Sequence, residues 1–162
     1  MCGFAGFIDV SLNRNQRELE NTALAMGEAI AYRGPDAAQA WADPDQGITL
    51  VHRRLSIIDL SPAGNQPMAS SCGRFIMVYN GEVYNAEDLR KELIALGRSE
   101  YRGHSDTEVI LEGFAVWGIK ETIQKLIGMF SLAVWDKSTK KISLVRDRLG
   151  IKPLYWSLQN GR

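Results

Sequence analysis

The stretch that decides the fold is RFIMVYNGEVYN, residues Arg74 to Asn85. A strand is predicted over its first half, Arg74 to Tyr79, because Phe75 to Tyr79 is apolar at every position and rich in aromatic and β-branched side chains. A strand that is apolar at consecutive rather than alternate positions is covered on both faces. The stretch therefore predicts a sheet with a packed layer on each side, and the strand is predicted to end at the turn-forming pair Asn80-Gly81.

Further strands are predicted on either side of this stretch, over Gly3–Val10, Gln39–Ala42, Ile48–His52, Met129–Asp136 and Ile142–Arg146. The polar run Lys137–Lys141 has the length of a hairpin loop, and short connections between neighbouring strands favour antiparallel pairing. Near the end, Tyr155–Leu158 precedes Asn160-Gly161, a pair typical of a two-residue hairpin turn. We expect the strand returning from that turn to lie beyond Arg162.

Three amphipathic helices are predicted, over Gln16–Tyr32, Ala86–Leu96 and Ser105–Gly118. Gly34-Pro35 ends the first, and Asn85 is expected to cap the second. Ser105 and Glu108 have the spacing of a capping box at the start of the third. Helices combined with antiparallel sheets make an α+β fold, and because the chain has neither a repeat nor a low-complexity linker, one domain is predicted over residues 1–162.

Composition excludes several classes of function. Lys plus Arg and Asp plus Glu total 19 each, so no net field favours nucleic acid or an anionic membrane as a partner. No apolar run approaches the ~20 residues of a membrane helix, and Met1–Asp9 lacks the basic segment of a secretory signal, so a cytoplasmic location is expected. Cys2, Cys72, His52 and His104 do not have the spacing of metal ligands, so no metal is expected.

Cys2 stands directly after the initiator methionine. Removal of Met1 would leave a thiol nucleophile and a free α-amine in one residue, with the amine able to take the thiol proton through a water molecule. The alternative is that Cys2 is a small buried apolar residue of the first strand. Its position in the chain favours the catalytic interpretation.

Other candidates also have two interpretations each. Arg54 could bind a substrate carboxylate through a bidentate pair, or form a surface ion pair. Asn80 and the backbone of Gly81 could hold an oxyanion, or form a plain turn. Asp106 could bind an ammonium group, or complement the dipole of the third helix. Together with Cys2 these residues suit cleavage of the side-chain amide of a free amino acid.

Six segments, in this order, resemble class II glutamine amidotransferases, and more narrowly the glutaminase domain of glutamine-hydrolysing asparagine synthetases. They are Met1–Gly6 (MCGFAG), Arg33–Asp36 (RGPD), His52–Asp59 (HRRLSIID), Asn80–Asn85 (NGEVYN), Ser105-Asp106 and Arg146–Tyr155 (RDRLGIKPLY). The resemblance covers nearly the whole chain. Phe4-Ala5 departs mildly from the common pattern, at positions expected to affect packing behind the nucleophile.

The resemblance implies the N-terminal-nucleophile hydrolase fold, a four-layer αββα sandwich of two antiparallel sheets between helices. It implies that Cys2 is the nucleophile, that Asn80 and Gly81 hold the oxyanion, and that Asp106 binds the ammonium group of the substrate. It also implies that the glutamine pocket is lined by Arg54, Leu55, Ser56, Ile57, Ile58 and the backbone of Glu82.

The resemblance further implies hydrolysis of L-glutamine, with ammonia supplied to a C-terminal synthetase domain of the same polypeptide. In such enzymes ATP and Mg²⁺ belong to the synthetase domain, so no cofactor is expected in residues 1–162. Asparagine formed from aspartate is the expected product, and another carboxylate acceptor is the alternative. A second alternative is a module that senses glutamine or docks a partner without turnover. The resemblance is also compatible with a homodimer.

Overall fold

The computed structural model describes residues 2–56, 62–99 and 101–158. Within these ranges it contains the strands β1 Gly3–Ile8, β2 Ala37–Asp43, β3 Ile48–Arg54, β4 Met68–Ala69, β5 Phe75–Val83, β6 Gly128–Asp136 and β7 Lys141–Arg146. It also contains the helices α1 Gln16–Ala29, α2 Ala86–Ala95, α3 Asp106–Trp117 and α4 Ile119–Lys125. No helix in these ranges is long and apolar enough to cross a membrane.

The strands form two antiparallel sheets, one in the order β1-β3-β2 and the other in the order β4-β5-β6-β7. Helix α1 covers the outer face of the first sheet, burying Leu19 and Ala23 there. Gly27 allows close contact, because a Cβ on it would lie 2.9 Å from Cγ2 of Val51. Helices α2 and α3 cover the outer face of the second sheet. The prediction of an α+β fold with two antiparallel sheets between helical layers is confirmed.

Two apolar layers fill the sandwich, and β5 contributes to both. Ile76 and Val78 pack between the two sheets. Phe75, Met77 and Tyr79 point the other way, into the layer between the second sheet and the helices. Because successive side chains of a strand point to opposite faces, this explains why consecutive residues are apolar. The prediction that the strand is covered on both faces is confirmed.

The extent of β5 corrects one prediction. The strand does not end before Asn80-Gly81 but continues through both residues to Val83. Asn80 pairs with Ser131 and Gly81 with Phe130, so β6 accompanies β5 along its full length. The local turn propensity of Asn-Gly is overridden by this pairing with a distant strand.

The remaining boundaries differ more modestly. Helix α1 ends at Ala29, and a 3₁₀ turn over Ala31–Arg33 follows it. Neither β4 nor α4 was predicted, because two and seven residues are too few for a periodic pattern. Tyr155–Leu158 does not form a strand, and the predicted turn at Asn160-Gly161 lies outside the described residues.

Asn85 and Ser105 occupy the predicted N-cap positions, but neither side chain makes a capping hydrogen bond. The Asn85 side chain does not cap α2; its amide donates to the carbonyl of Lys125 and its oxygen accepts from the N–H of Ile127. Asn85 therefore joins the start of α2 to the segment before β6. At α3, Ser105 occupies the N-cap position, but its hydroxyl makes no hydrogen bond to any described residue.

The Glu108 carboxylate accepts instead from the N–H groups of Arg102 and Gly103, so it organises the loop before α3. A capping box does occur at the start of α1. There the Asn15 side chain accepts from the N–H of Glu18, and the Glu18 carboxylate accepts from the N–H of Asn15.

The loop after β7 is organised by the carboxylate of Asp147. Its oxygens accept hydrogen bonds from the backbone N–H groups of Phe130, Leu149, Ile151 and Lys152. One carboxylate thus provides the hydrogen-bond acceptors that these N–H groups would otherwise lack. As a result the loop turns back toward the sandwich, and Lys152 is buried at the edge of a cavity.

We expect Asp147→Ala to lower the free energy of unfolding by about 2 kcal/mol, because it leaves several amides without their acceptor. Urea denaturation followed by circular dichroism measures this change. Leu149→Ala is the matched control, since this neighbouring side chain is 85% exposed and its loss is expected to cost less than about 0.5 kcal/mol. Equal stability of the two variants would show that the loop does not depend on Asp147.

Candidate active site

A cavity of about 230 Å³ opens at the end of the sandwich where β3, β5 and α3 meet the N-terminus. It brings together seven of the ten residues that the sequence indicated, namely Cys2, Arg54, Leu55, Asn80, Gly81, Glu82 and Asp106. Ser56 is not part of the lining; its N–H donates to the Asp36 carboxylate at 2.7 Å. Ile57 and Ile58 lie outside the described residues.

Strand alternation explains why side chains of the first sheet reach this cavity. Leu50 of β3 and Phe4 of β1 point into the layer between the sheets. By the two-residue period, His52 and Arg54 follow Leu50 on that face, and Cys2 precedes Phe4 on it. Because β1 and β3 are neighbours, with Gly3 paired to Arg53, these side chains emerge at the same end of the sheet.

The same period directs the second sheet. Val78 points into the layer between the sheets, so Asn80 and Glu82 also face the first sheet. Tyr79 and Gly81 alternate with them and face the helices. The cavity therefore has a wall from each sheet, and its third side is the start of α3.

The Cys2 sulfur lies against the backbone just beyond β3. The N–H of Leu55 donates to Sγ at 3.4 Å, and the Leu55 carbonyl oxygen is 3.7 Å from the same sulfur. Arg33 donates from Nε to the Cys2 carbonyl oxygen at 3.3 Å, which holds the backbone in place. A thiolate at this position would keep the Leu55 amide as a hydrogen-bond donor.

Two hydrogen-bond donors of β5 are available to a ligand oxygen. The first is the carboxamide of Asn80, which is 6% exposed and has no hydrogen-bond partner in the described part of the chain. The second is the N–H of Gly81. Gly81 is paired with Phe130 of β6, whose N–H and carbonyl groups both bond to Asp147 instead. Gly81 and Phe130 therefore form a non-hydrogen-bonded pair.

The N–H of Gly81 consequently points away from β6, toward the edge where β4 pairs with β5 only as far as Met77. A side chain at position 81 is excluded, because its Cβ would lie 2.4 Å from the carbonyl oxygen of Met129. Asn80 and Gly81 thus offer a carboxamide and a backbone amide at adjacent positions.

Arg54 is held in place before any ligand arrives. Its guanidinium is buried and donates from Nη1 to Oδ1 of Asn65 at 2.6 Å. Gly64 lies directly beside it, since a Cβ on Gly64 would stand 2.4 Å from Nη2 of Arg54. The loop that carries Gly64 and Asn65 therefore sets the direction of this cationic group.

Asp106 is the first residue of α3 and is half-buried. Its Oδ2 accepts from the Tyr79 hydroxyl at 2.6 Å and from the N–H of Val83 at 3.0 Å. Burial raises the pKa of this carboxyl above its usual range, and the hydrogen bonds from Tyr79 and Val83 oppose that rise.

Several lining residues were not singled out from the sequence as site residues. The His52 ring is buried, with Nε2 at 3.2 Å from the Tyr79 carbonyl oxygen. Burial lowers the pKa of His52 to about 4, so the ring is neutral at neutral pH and donates from Nε2. Gln66 accepts from the N–H of Tyr79 at 2.6 Å and lies 3.4 Å from the Thr107 hydroxyl.

Strand period could have indicated His52, because it lies two residues before Arg54. Lys152 belongs to the quoted segment RDRLGIKPLY, but only the folding back of its loop brings it to the cavity. No sequence pattern marked Gln66. Among the described residues, no group of three His, Cys, Asp or Glu side chains could hold a metal ion.

A family model described as "Glutamine amidotransferase domain" matches residues 1–162. The chain belongs to this glutamine amidotransferase family. It is 41% identical over 157 residues to Asparagine synthetase (glutamine-hydrolyzing) 2 of Bacillus subtilis (strain 168), a match that covers 97% of this chain and 20% of the relative. It is 34% identical over 169 residues to Amidase chry2 of Gibberella zeae, a match that covers 100% of this chain and 25% of the relative.

A solved structure, the glutamine phosphoribosylpyrophosphate (PRPP) amidotransferase from B. subtilis complexed with ADP and GMP, has a TM-score of 0.46 and 20% identity. That match covers 57% of this chain and 22% of the other. The family resemblance predicted from the sequence motifs is confirmed by the family match and the curated relatives. This amidotransferase domain spans about a fifth to a quarter of the length of the curated relatives it matches.

We expect Gly64→Ala in this amidotransferase domain to weaken binding of L-glutamine about tenfold, because the added methyl displaces the Arg54 guanidinium, which the sequence predicts to bind the substrate carboxylate. Binding is measured by isothermal titration calorimetry on a background in which Cys2 is alanine. Asn65→Ala, which removes the acceptor of Nη1, is expected to act in the same direction. Unchanged affinity in both variants would contradict a role for this loop in orienting Arg54.

Proposed function

We propose that this chain hydrolyses L-glutamine to L-glutamate and ammonia, with Cys2 as the nucleophile. The observation that carries the proposal is that one cavity is lined by a thiol, two oxyanion donors, a guanidinium and a carboxylate. These groups come from positions spread between Cys2 and Asp106. Family membership supports glutamine as the substrate.

The charges in the cavity suit a free amino acid. A guanidinium such as that of Arg54 binds a carboxylate through two parallel hydrogen bonds, and Asp106 carries the opposite charge for an α-ammonium group. The cavity volume of about 230 Å³ is below that of typical drug-sized sites and fits one small metabolite. A zwitterion held by one residue of each sign leaves its side-chain amide to face Cys2.

In the first half of the reaction, the Cys2 sulfur attacks the side-chain carbonyl carbon of glutamine, and the C–O double bond opens to an oxyanion. The α-amine of Cys2, freed by removal of Met1, takes the thiol proton through a water molecule. Asn80 and the N–H of Gly81 stabilise the oxyanion. The proton passes to the leaving nitrogen, the C–N bond breaks, and ammonia leaves a glutamyl thioester on Cys2.

In the second half, water attacks the thioester carbonyl, and the same amine accepts the proton of that water. The oxyanion forms again at the same donors. When it collapses, the C–S bond breaks, the thiol regains its proton, and glutamate is released. One water is consumed, and one ammonia and one glutamate are produced.

For the protein as a whole, we propose that residues 1–162 are an N-terminal glutaminase domain and that a following synthetase domain uses the ammonia. Several relatives named as glutamine-hydrolysing asparagine synthetases support aspartate as the acceptor and asparagine as the product. ATP and Mg²⁺ would be bound by the synthetase domain. Amidation of a different carboxylate is the second candidate, because one similar relative, Amidase chry2, is not named as an asparagine synthetase. The cytoplasmic location and the homodimer remain predictions.

We expect Cys2→Ala to reduce glutamine hydrolysis at least about a thousandfold, because it removes the nucleophile. Ammonia release by purified protein measures this, after intact-mass spectrometry has verified removal of Met1. Cys72→Ala is the matched control, since this second cysteine is exposed and outside the cavity. Hydrolysis at the unchanged rate in Cys2→Ala would refute the mechanism.

Labelling of the same Met1-free protein distinguishes the proposed glutaminase from a module that binds glutamine or a partner without turnover. A glutamine-mimicking electrophile is expected to label Cys2 once, as mass spectrometry of the peptide would show. Glutamine binding without ammonia release, in protein with a free Cys2 amine, would favour the sensing or docking function.

Asn80→Ala is expected to lower kcat between about a hundredfold and a thousandfold, with a smaller effect on KM, because the oxyanion forms only along the reaction. Asn15→Ala is the control, because it also removes a carboxamide, but at the start of α1 and away from the cavity. A kcat within about threefold of the unchanged protein would remove Asn80 from the oxyanion site.

A further inference from the structure

The carboxylate of Asp106 is held by β5 through one of its two oxygens. The Tyr79 hydroxyl donates to Oδ2 at 2.6 Å, and the N–H of Val83 donates to the same atom at 3.0 Å. The backbone N–H groups of Thr107 and of Asp106 itself also hydrogen-bond this carboxylate, and Oδ1 is the oxygen that neither Tyr79 nor Val83 contacts. The Tyr79 hydroxyl was not among the groups indicated by the sequence.

We propose that Tyr79 is a positioning residue for Asp106, and that its hydroxyl sets how strongly the cavity selects ligands carrying an α-ammonium group. The inference rests on the proposed glutaminase function, in which Asp106 binds that group. Tyr79 acts through Asp106, so it contributes to substrate recognition rather than to bond cleavage.

Tyr79 is itself fixed from three directions. Its N–H donates to Oε1 of Gln66 at 2.6 Å, and its carbonyl oxygen lies 3.2 Å from Nε2 of His52. The residue is 3% exposed and packs in the apolar layer between the second sheet and the helices. A phenol held in this way offers its hydroxyl at one place, so it restrains rotation of the Asp106 carboxylate.

The charge state of both groups suits this role. Burial raises the pKa of the Tyr79 phenol far above its usual range, so the hydroxyl remains a donor at any working pH. Burial also raises the pKa of Asp106, which disfavours the carboxylate that an ammonium group requires. The hydrogen bond from Tyr79 lowers that pKa and so maintains the charged form.

Tyr79→Phe tests the hydroxyl alone, because the phenyl ring keeps the apolar packing. Tyr101→Phe is the matched control: the Tyr101 hydroxyl is buried, packs near the same helix and has no hydrogen-bond partner among the described residues. The substrates are L-glutamine and 4-carbamoylbutanoate, which is glutamine without its α-amino group. The ratio of their kcat/KM values measures selection for the ammonium group.

We expect Tyr79→Phe to lower this ratio about tenfold, through a raised KM for L-glutamine with kcat nearly unchanged, and Tyr101→Phe to leave it unchanged. Both rates come from one preparation, so a change in the folded fraction cancels in the ratio. If the hydroxyl had a merely structural role, its loss would reduce kcat/KM for both substrates by the same factor and leave their ratio unchanged.

The pH profile is the second measurement. Without the Tyr79 donor, the acid limb of kcat/KM for L-glutamine is expected to move to higher pH, because Asp106 then protonates at higher pH. The other titratable groups facing the cavity are the thiol and the free α-amine of Cys2 and the side chains of His52, Arg54, Glu82 and Lys152. All of these are unchanged in Tyr79→Phe, so the difference between the two profiles reports on Asp106.

An unchanged ratio with an unchanged acid limb in Tyr79→Phe would overturn the inference and leave the glutaminase function standing. Failure of the wild-type protein to hydrolyse L-glutamine, with Met1 removed, would instead overturn the proposed function. The two failures are therefore distinguishable within one set of assays.

Discussion

The site depends on β5 being packed on both faces at once. Ile76 and Val78 join the layer between the sheets, while Met77 and Tyr79 join the layer under the helices. A shift of this strand by one residue would exchange the two sets of side chains and turn Asn80 toward the helices, away from Cys2. The apolar first half of β5 thus determines which way the polar second half points.

The polar half of β5 follows from this register. Asn80 faces the first sheet and its cysteine, whereas the Tyr79 hydroxyl reaches Asp106 on α3. Pairing with β6 along the whole strand keeps the backbone of β5 extended at Asn80-Gly81, where the local sequence favours a turn. Gly81 fits there because only a residue without Cβ can lie so close to the carbonyl of Met129. Packing and chemistry therefore constrain the same nine-residue strand.

What the sequence predicted correctly was mostly local in origin. The double coverage of Phe75–Tyr79 and the stripe of α1 depend on side-chain period, which needs no knowledge of distant contacts. The errors at Asn80-Gly81 and Asn85 share another cause: partners far along the chain, such as Phe130 and Ile127, decide the conformation. The error at Ser105 is local, because the Glu108 carboxylate binds the preceding loop instead of the N-cap.

The site shows the same division. Its charged residues and Cys2 could be selected by chemical type and by the order of the motifs. Gly64, Gln66 and Tyr79 could not, because each acts by supporting another residue: Gly64 lies against Arg54, and Gln66 holds Tyr79. Such supporting contacts are visible only when the loops and strands are placed together.

The placement of charge explains how a chain with no net charge can offer both charges to a zwitterion such as the proposed substrate. Arg54 belongs to the first sheet and Asp106 to the helical layer beyond the second sheet, so their separation depends on how the layers pack. A zwitterion held by both would connect the first sheet to α3. Since the unfolded chain has no such cavity, ligand binding must also stabilise the packed sandwich by mass action.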